Sequence, residues 1–194
     1  MAHVALIHSV LGIRPGILDA AQRLRAEGHE VLVPDLYGGR VFDAYEPALA
    51  YAKAELGHDL IHQRAEEAVS VLPDGFVSAG FSLGAMVATR LATVRPVSGV
   101  LMFGGAIAVS WFDGAVWPTG VPAQTHSTVG DPWRDDADIE ATRHDVESGG
   151  GTLEVFDYPG TGHLFTDASL PEEYDAAAAE LLWGRVLRFV RALD

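Results

Sequence analysis

The sequence predicts an α/β fold: one domain over residues 1–194, with a mostly parallel six-stranded sheet and helices on both faces. Three observations predict it. Short apolar runs alternate with longer helix-forming segments along the whole chain. The strand runs are almost continuously apolar, as in Val4–Ile7 and Val97–Phe103, so both faces of the sheet must be covered. A third signal lies at residues 76–92, where an apolar run enters Gly80-Phe81-Ser82-Leu83-Gly84 and continues into Ala85-Met86-Val87-Ala88-Thr89-Arg90-Leu91-Ala92, the order strand, tight turn, helix.

The elements follow in order. Val4–Ile7 reads as a buried strand and Ile17–Ala26 as a helix stopped at Gly28. Glu30–Leu36 is the next strand, and a polar and aromatic stretch at 38–58 leads to a helix over about 59–72. Phe76–Phe81 is a strand and 83–94 its helix. Val97–Phe103 is followed by a loop rich in Gly, Trp and Pro. Gln124–Val129 and Leu153–Phe156 are strands flanking a helix over about 137–147. The last helix is expected to start at Ser169-Leu170-Pro171-Glu172, a capping box with proline in the first turn, and to reach Ala192. Its apolar positions Leu182, Val186, Phe189, Val190 and Leu193 share one face.

Composition excludes several functions. The chain is 48% hydrophobic, enough for a full core, and 13 basic against 27 acidic residues give a net charge of −14. Nucleic acid and anionic membranes need positive patches, so neither is expected as a partner. There is no cysteine, hence no disulfide, no thiolate nucleophile and no cysteine metal site. Met1-Ala2-His3-Val4-Ala5-Leu6-Ile7 has neither the cationic lead nor the apolar length of a signal peptide. No apolar run approaches the roughly 18 residues of a membrane span. The expected location is the cytoplasm.

In parallel sheets ligands bind beyond the carboxyl ends of the strands. Those ends carry His8-Ser9-Val10, Asp35-Leu36-Tyr37, Ser82-Leu83, Gly104-Gly105, Gly130-Asp131 and Gly160-Thr161-Gly162-His163. A serine on a sharp strand-to-helix turn is the setting of a nucleophile, with the free N–H groups of the helix start aimed at developing negative charge. Serine needs a base, and His163 in its glycine-rich loop is the candidate. His3, His29, His58, His62 and His144 fall on strand starts or helix faces and read as solvated. His126 reads as a core or supporting group, and His8 stands at a strand end near the site. Asp131, in Val129-Gly130-Asp131-Pro132, would fix the imidazole tautomer, with Asp157 as a weaker rival; Asp135 and Asp136 read as helix-start residues. The oxyanion donors would be the backbone N–H groups of Leu83 and Val10. Tyr37, Phe42, Tyr45, Trp111, Phe112, Trp117, Trp133 and Phe165 cluster in segments above the sheet; about half should line an apolar pocket, with Ser9, Tyr37, Phe42, Trp111, Trp133 and Phe165 as its expected members. Arg14, Arg40 and Arg134 lie in loops at the same end, where they could meet an anion, but each reads as a solvated surface residue.

With Val33-Pro34-Asp35-Leu36-Tyr37, Gly80-Phe81-Ser82-Leu83-Gly84, Gly130-Asp131 and Gly162-His163-Leu164-Phe165 in view, the chain resembles the dienelactone hydrolase family of α/β-hydrolases over nearly its whole length. The resemblance implies a Ser82–Asp131–His163 triad, oxyanion donors at Val10 and Leu83, and an α/β-hydrolase fold lacking the first two strands of larger members. The family's namesakes carry cysteine where this chain has Ser82, and a glutamate after the first strand where it has Ser9. They place a carboxylate-binding arginine after the histidine, where Thr166 or Asp167 stands here. The implied activity is therefore serine-dependent hydrolysis of a small-molecule ester or lactone through an acyl-enzyme, without cofactor. A small thioesterase or general carboxylesterase on the same triad is one alternative; a non-catalytic ligand-binding protein of the same fold is another.

Two other signals lead elsewhere. His58 and His62 have the i, i+4 spacing of a zinc pair but no accompanying glutamate or third ligand, so no metal is expected. Glu66-Glu67, Asp135-Asp136 and Glu172-Glu173 read as helix surface and first-turn residues.

Overall fold

The computed structural model describes residues 1–193. Six strands form one sheet: β1 (His3–Ile7), β2 (Glu30–Leu32), β3 (Phe76–Phe81), β4 (Val97–Phe103), β5 (Ala123–Thr128) and β6 (Leu153–Tyr158). The spatial order is β2-β1-β3-β4-β5-β6 and every pairing is parallel. The helices are α1 (Pro15–Ala26), α2 (Tyr45–Tyr51), α3 (Gly57–Val69), α4 (Leu83–Val94), α5 (Asp136–Ser148) and α6 (Ala176–Ala192). Right-handed crossovers put α1 and α6 on one face and α3, α4 and α5 on the other. Arg23–Glu180 and Arg191–Glu27 ion pairs join α1 to α6, and Arg90–Glu66 joins α4 to α3. The inner strands are buried on both faces, with β1 and β3 contributing Val4, Leu6, Ile7, Phe76, Val77 and Ala79 to one continuous core. No helix among the described residues is long and apolar enough to cross a membrane.

Strand order reverses between β1 and β3, because the chain leaves β1 toward β2 and leaves β3 in the opposite direction, toward β4. A crevice opens at the carboxyl ends of those two strands, which is where a ligand binds in sheets of this kind.

Three elements differ from the sequence expectation. β2 ends at Leu32 rather than Leu36, because Pro34 has no N–H for the ladder; Leu36 N–H instead bonds the His8 ring at 3.1 Å, and Leu36 C=O accepts from Arg64 at 2.6 Å. The 38–58 stretch is not merely irregular: it holds α2 and a π-helical turn at Ala52–Leu56. The last helix starts at Ala176 under Asp175, whose carboxylate accepts from the N–H groups of Ala177 and Ala178. The capping-box serine, Ser169, bonds Asp167 and Arg14 instead.

Buried histidines set an acid limit. His29 is buried rather than solvated and accepts from the Ala2 N–H. His126 lies between Gln124 Oε1 (3.1 Å) and Tyr158 OH (2.8 Å); since Oε1 can only accept, Nε2 carries the proton and Nδ1 accepts from tyrosine. Burial, with Arg185 adding to it, pushes its pKa down to about 3. His8 is lowered in the same way, its Nδ1–H donating to Ser9 C=O and its Nε2 accepting from Leu36 N–H. Above pH 6.5 both states are neutral and nothing is lost. Below it the unfolded chain binds protons that the folded chain refuses, so stability falls from pH 6.5 toward pH 3. For His126 alone the expected loss between pH 6.5 and 5 is about 2 kcal/mol. Urea midpoints at pH 7 and 5 test this; equal midpoints would contradict it, and His126→Gln should shrink the difference.

Candidate active site

β3 delivers Ser82 at the reversal point. Its backbone has φ 54° and ψ −112°, the sole non-glycine residue at positive φ among the described residues. That conformation costs on the order of 1–3 kcal/mol and is held by surrounding structure. Ser82 N–H donates to Phe103 C=O at 2.7 Å, and Ser82 C=O accepts from Ala85 N–H at 2.8 Å. The flanking glycines permit the turn: a Cβ on Gly80 would sit 2.0 Å from Gly84 O, and one on Gly84 would sit 2.4 Å from Ile7 O.

His163 comes over the elbow from the loop after β6. Thr128 Oγ1 donates to Gly162 C=O (3.0 Å) and Glu173 Oε2 accepts from Leu164 N–H (2.7 Å), clamping the backbone on either side of the imidazole. Gly104 leaves room for the ring, since a Cβ there would lie 3.1 Å from His163 Cε1. Asp131 follows β5, its side chain fully buried. Asp131 Oδ1 accepts from Trp133 N–H at 2.8 Å and Oδ2 from His163 Nδ1–H at 2.6 Å. With the proton on Nδ1, His163 Nε2 is an acceptor, and Ser82 Oγ donates to it at 2.7 Å. Three residues from three separate strand ends thus form one directed hydrogen-bond chain. Asp157, the rival of Asp131, is held by Arg134 at 2.7 Å and takes no part; Asp135 caps α5.

Val10 and Leu83 both border the cavity beside Ser82, and neither backbone N–H donates a hydrogen bond among the described residues. A tight turn fixes Val10: Gly12 N–H bonds Ser9 C=O (3.0 Å) and Leu11 N–H bonds Ser9 Oγ (3.2 Å).

The cavity over Ser82 has a volume of about 540 Å³. Its deep end is apolar, built from Ala52, Ile61, Ala85, Met86 and Ala106, all buried. Trp111, Trp133 and Leu49 stand half-exposed at its mouth. Of the expected pocket members, Trp111 and Trp133 therefore line it. Tyr37, Phe42 and Phe165 do not: Tyr37 packs against His8, Tyr51 and Phe42, and Phe165 against Tyr158. Ser9 borders a separate cleft of about 20 Å³ behind the Val10 turn. Tyr45 lines the cavity with its ring 4.5 Å from Trp133, which in turn lies 4.5 Å from the His163 ring, edge to face. Lys53 and His58 reach the same cavity from the π turn and α3. The α2 wall is not among the elements expected from the sequence, although Tyr45, Leu49 and Ala52 have helical i, i+4, i+7 spacing.

Two of the arginines at this end, Arg14 and Arg134, are engaged rather than solvated, whereas Arg40 is exposed as expected. Arg14 is buried and donates to Phe42 C=O, Asp43 and Ser169, with Asp167 3.6 Å away. Arg134 joins Ser127, Asp136 and Asp157, and Arg40 stacks 4.8 Å over Tyr51.

The dienelactone hydrolase family model matches residues 2–193. The chain belongs to the dienelactone hydrolase family. Solved structures agree on an α/β-hydrolase fold. A dienelactone hydrolase-like promiscuous phosphotriesterase from metagenomic libraries superposes with a TM-score of 0.78 at 19% identity, covering 100% of this chain and 87% of the other. A structure from the metagenome-derived lipolytic enzymes LipS and LipT gives 0.70 at 14% identity over 98% and 94%. The thioesterase domain of the curacin biosynthetic pathway gives 0.61 at 15% over 93% and 92%. At such identities the likeness is one of fold. No curated protein matches the sequence. Family and fold together make this dienelactone hydrolase family member a hydrolase.

Proposed function

We propose that this protein hydrolyses carboxylic esters or lactones through Ser82, His163 and Asp131, by way of an acyl-enzyme. The observation that carries the reading is the directed chain Ser82 Oγ–H to His163 Nε2 and His163 Nδ1–H to Asp131, at a strained elbow facing an apolar cavity. Ser82 Oγ attacks the carbonyl carbon while His163 takes its proton. The N–H groups of Val10 and Leu83 receive the oxyanion. Collapse breaks the carbonyl–oxygen bond and His163 returns the proton to the departing alcohol. Water, deprotonated by His163, then attacks the acyl group and releases the acid with Ser82 restored. The chain's own groups fill every role, so the reaction requires no cofactor. The deep apolar end fits a hydrocarbon acyl or alcohol part, which favours uncharged esters. The lipolytic enzymes and the thioesterase domain among the structural neighbours accord with the same attack on an acyl carbonyl.

The test is labelling with a fluorophosphonate probe followed by intact and peptide mass spectrometry. One adduct at Ser82, absent after denaturation and in His163→Ala, is the expected result. Absence of any adduct on the native protein would overturn the reading and leave ligand binding without turnover as its replacement.

A further inference from the structure

We propose that Glu173 is a positioning residue for His163, which holds the base and the aromatic wall beside it in register through one carboxylate. The inference rests on the reading of Ser82 and His163 as nucleophile and base, and it concerns a residue that the sequence presents as half of an exposed acidic pair.

Glu173 lies in the turns before α6 and is half-buried. Its Oε2 accepts from Leu164 N–H at 2.7 Å, the peptide group that follows His163. Both carboxylate oxygens also accept from the Tyr45 hydroxyl, at 2.8 and 3.0 Å. Tyr45 begins α2, which walls the cavity. Its ring meets Trp133 at 4.5 Å and His163 at 6.0 Å, and Trp133 meets His163 at 4.5 Å while its N–H occupies Asp131 Oδ1. The backbone contact is close as well. A Cβ on Gly162 would lie 2.2 Å from Glu173 O, so the base loop rests directly on residue 173, and Asp175 N–H bonds Phe165 C=O at 2.9 Å just beyond. Burial and the Glu173 bond push the Tyr45 hydroxyl pKa upward, which keeps it a donor.

His163 has no bond from its own ring to any residue other than Asp131 and Ser82 among the described residues. Its backbone setting and flanking rings must therefore supply the remaining restraint, and Glu173 is where those two supports meet. A half-buried carboxylate with an N–H and a hydroxyl converging on it is placed to transmit any shift of α2 to the base.

Glu173→Gln, Glu173→Ala and Tyr45→Phe separate this role from simple packing. Glutamine can accept from Leu164 N–H with Oε1 and donate to the tyrosine oxygen with its amide, so it should recover the function. Two readouts are needed: the second-order rate of fluorophosphonate labelling at Ser82, and the downfield His163 Nδ1 proton resonance in histidine-labelled protein. Glu173→Ala is expected to slow labelling by roughly 30-fold and to broaden or erase the resonance. Glu173→Gln should stay within about fivefold of the parent with the resonance retained, and Tyr45→Phe should fall between them. Parent-like labelling and resonance in Glu173→Ala would overturn the proposal, as would a Glu173→Gln as impaired as Glu173→Ala. Should the alanine variant fail to fold, the parent-like or impaired behaviour of Tyr45→Phe, read on both measurements, decides. If the parent itself takes no label, the ester-hydrolase reading fails alone, because the resonance still reports whether Glu173 orders His163.

Discussion

Ser82→Ala is expected to lower kcat for an activated ester such as p-nitrophenyl butyrate by roughly 10⁵–10⁶-fold while leaving the protein folded. The change deletes one oxygen and one hydrogen bond, Ser82 Oγ to His163 Nε2 at 2.7 Å. Alanine has a Cβ like serine, so the strain at φ 54° is neither relieved nor increased. Stability should therefore move by only about 1 kcal/mol. Asp131→Asn should cost less, roughly 10⁴-fold, for a reason visible in the hydrogen-bond directions. Trp133 N–H needs an oxygen at Oδ1, so the asparagine oxygen is claimed there and its amide faces His163 Nδ1. The imidazole proton is driven to Nε2, where it points at Ser82 and can no longer accept. Burst kinetics on the two variants distinguish the cases. A Ser82→Ala protein that retains a tenth of the parent kcat would remove serine from the mechanism altogether.

The parts of this molecule that could be read from sequence are those whose signals are local. β3, α4 and β4 have the bounds their apolar runs indicate, because strands buried on both faces leave no room for a polar interruption. The three side chains joined over the elbow were legible for a related reason. Each stands at the carboxyl end of a strand, and a parallel sheet gathers those ends into one place. What could not be read was decided by tertiary competition. Ser169 has the sequence context of a helix cap, yet Asp167 and Arg14 take its hydroxyl and Asp175 caps α6 instead. Arg14 looks like a surface cation until Asp43, Ser169 and the Phe42 carbonyl converge on it.

The pocket was the least legible part. Tyr37 and Trp133 are both aromatic residues just past a strand end, and composition cannot separate them. Tyr37 turns into the core because the His8 and Tyr51 rings wait there, whereas Trp133 is pinned at the mouth by its own N–H on Asp131. The α2 wall is not evident in the sequence because its apolar face, Tyr45 and Leu49 continued by Ala52 of the π turn, is short and covers a cavity instead of the sheet.

Gly84→Ala is expected to damage both fold and site, and the two losses have one cause. A Cβ at this position would lie 2.4 Å from Ile7 O and 2.8 Å from His8 O, all of it against backbone that no rotamer change can move. The start of α4 and the end of β1 must part by about an ångström, which should cost roughly 3–5 kcal/mol. Leu83 opens α4 and Val10 lies in the turn that follows β1, and their N–H groups would receive the oxyanion. Widening the gap between them by that amount should reduce kcat on the order of 100-fold in whatever fraction stays folded, with KM changing far less. Gly84, two residues past Ser82, thus sets the gap between the Leu83 and Val10 N–H groups by lacking a side chain. Urea titration gives the first number, and kcat normalised to active sites titrated with a fluorophosphonate gives the second. A variant with a parent-like urea midpoint would refute the packing argument. One that is destabilised but turns over each folded site at the parent rate would refute the assignment of Val10 and Leu83 as the donors.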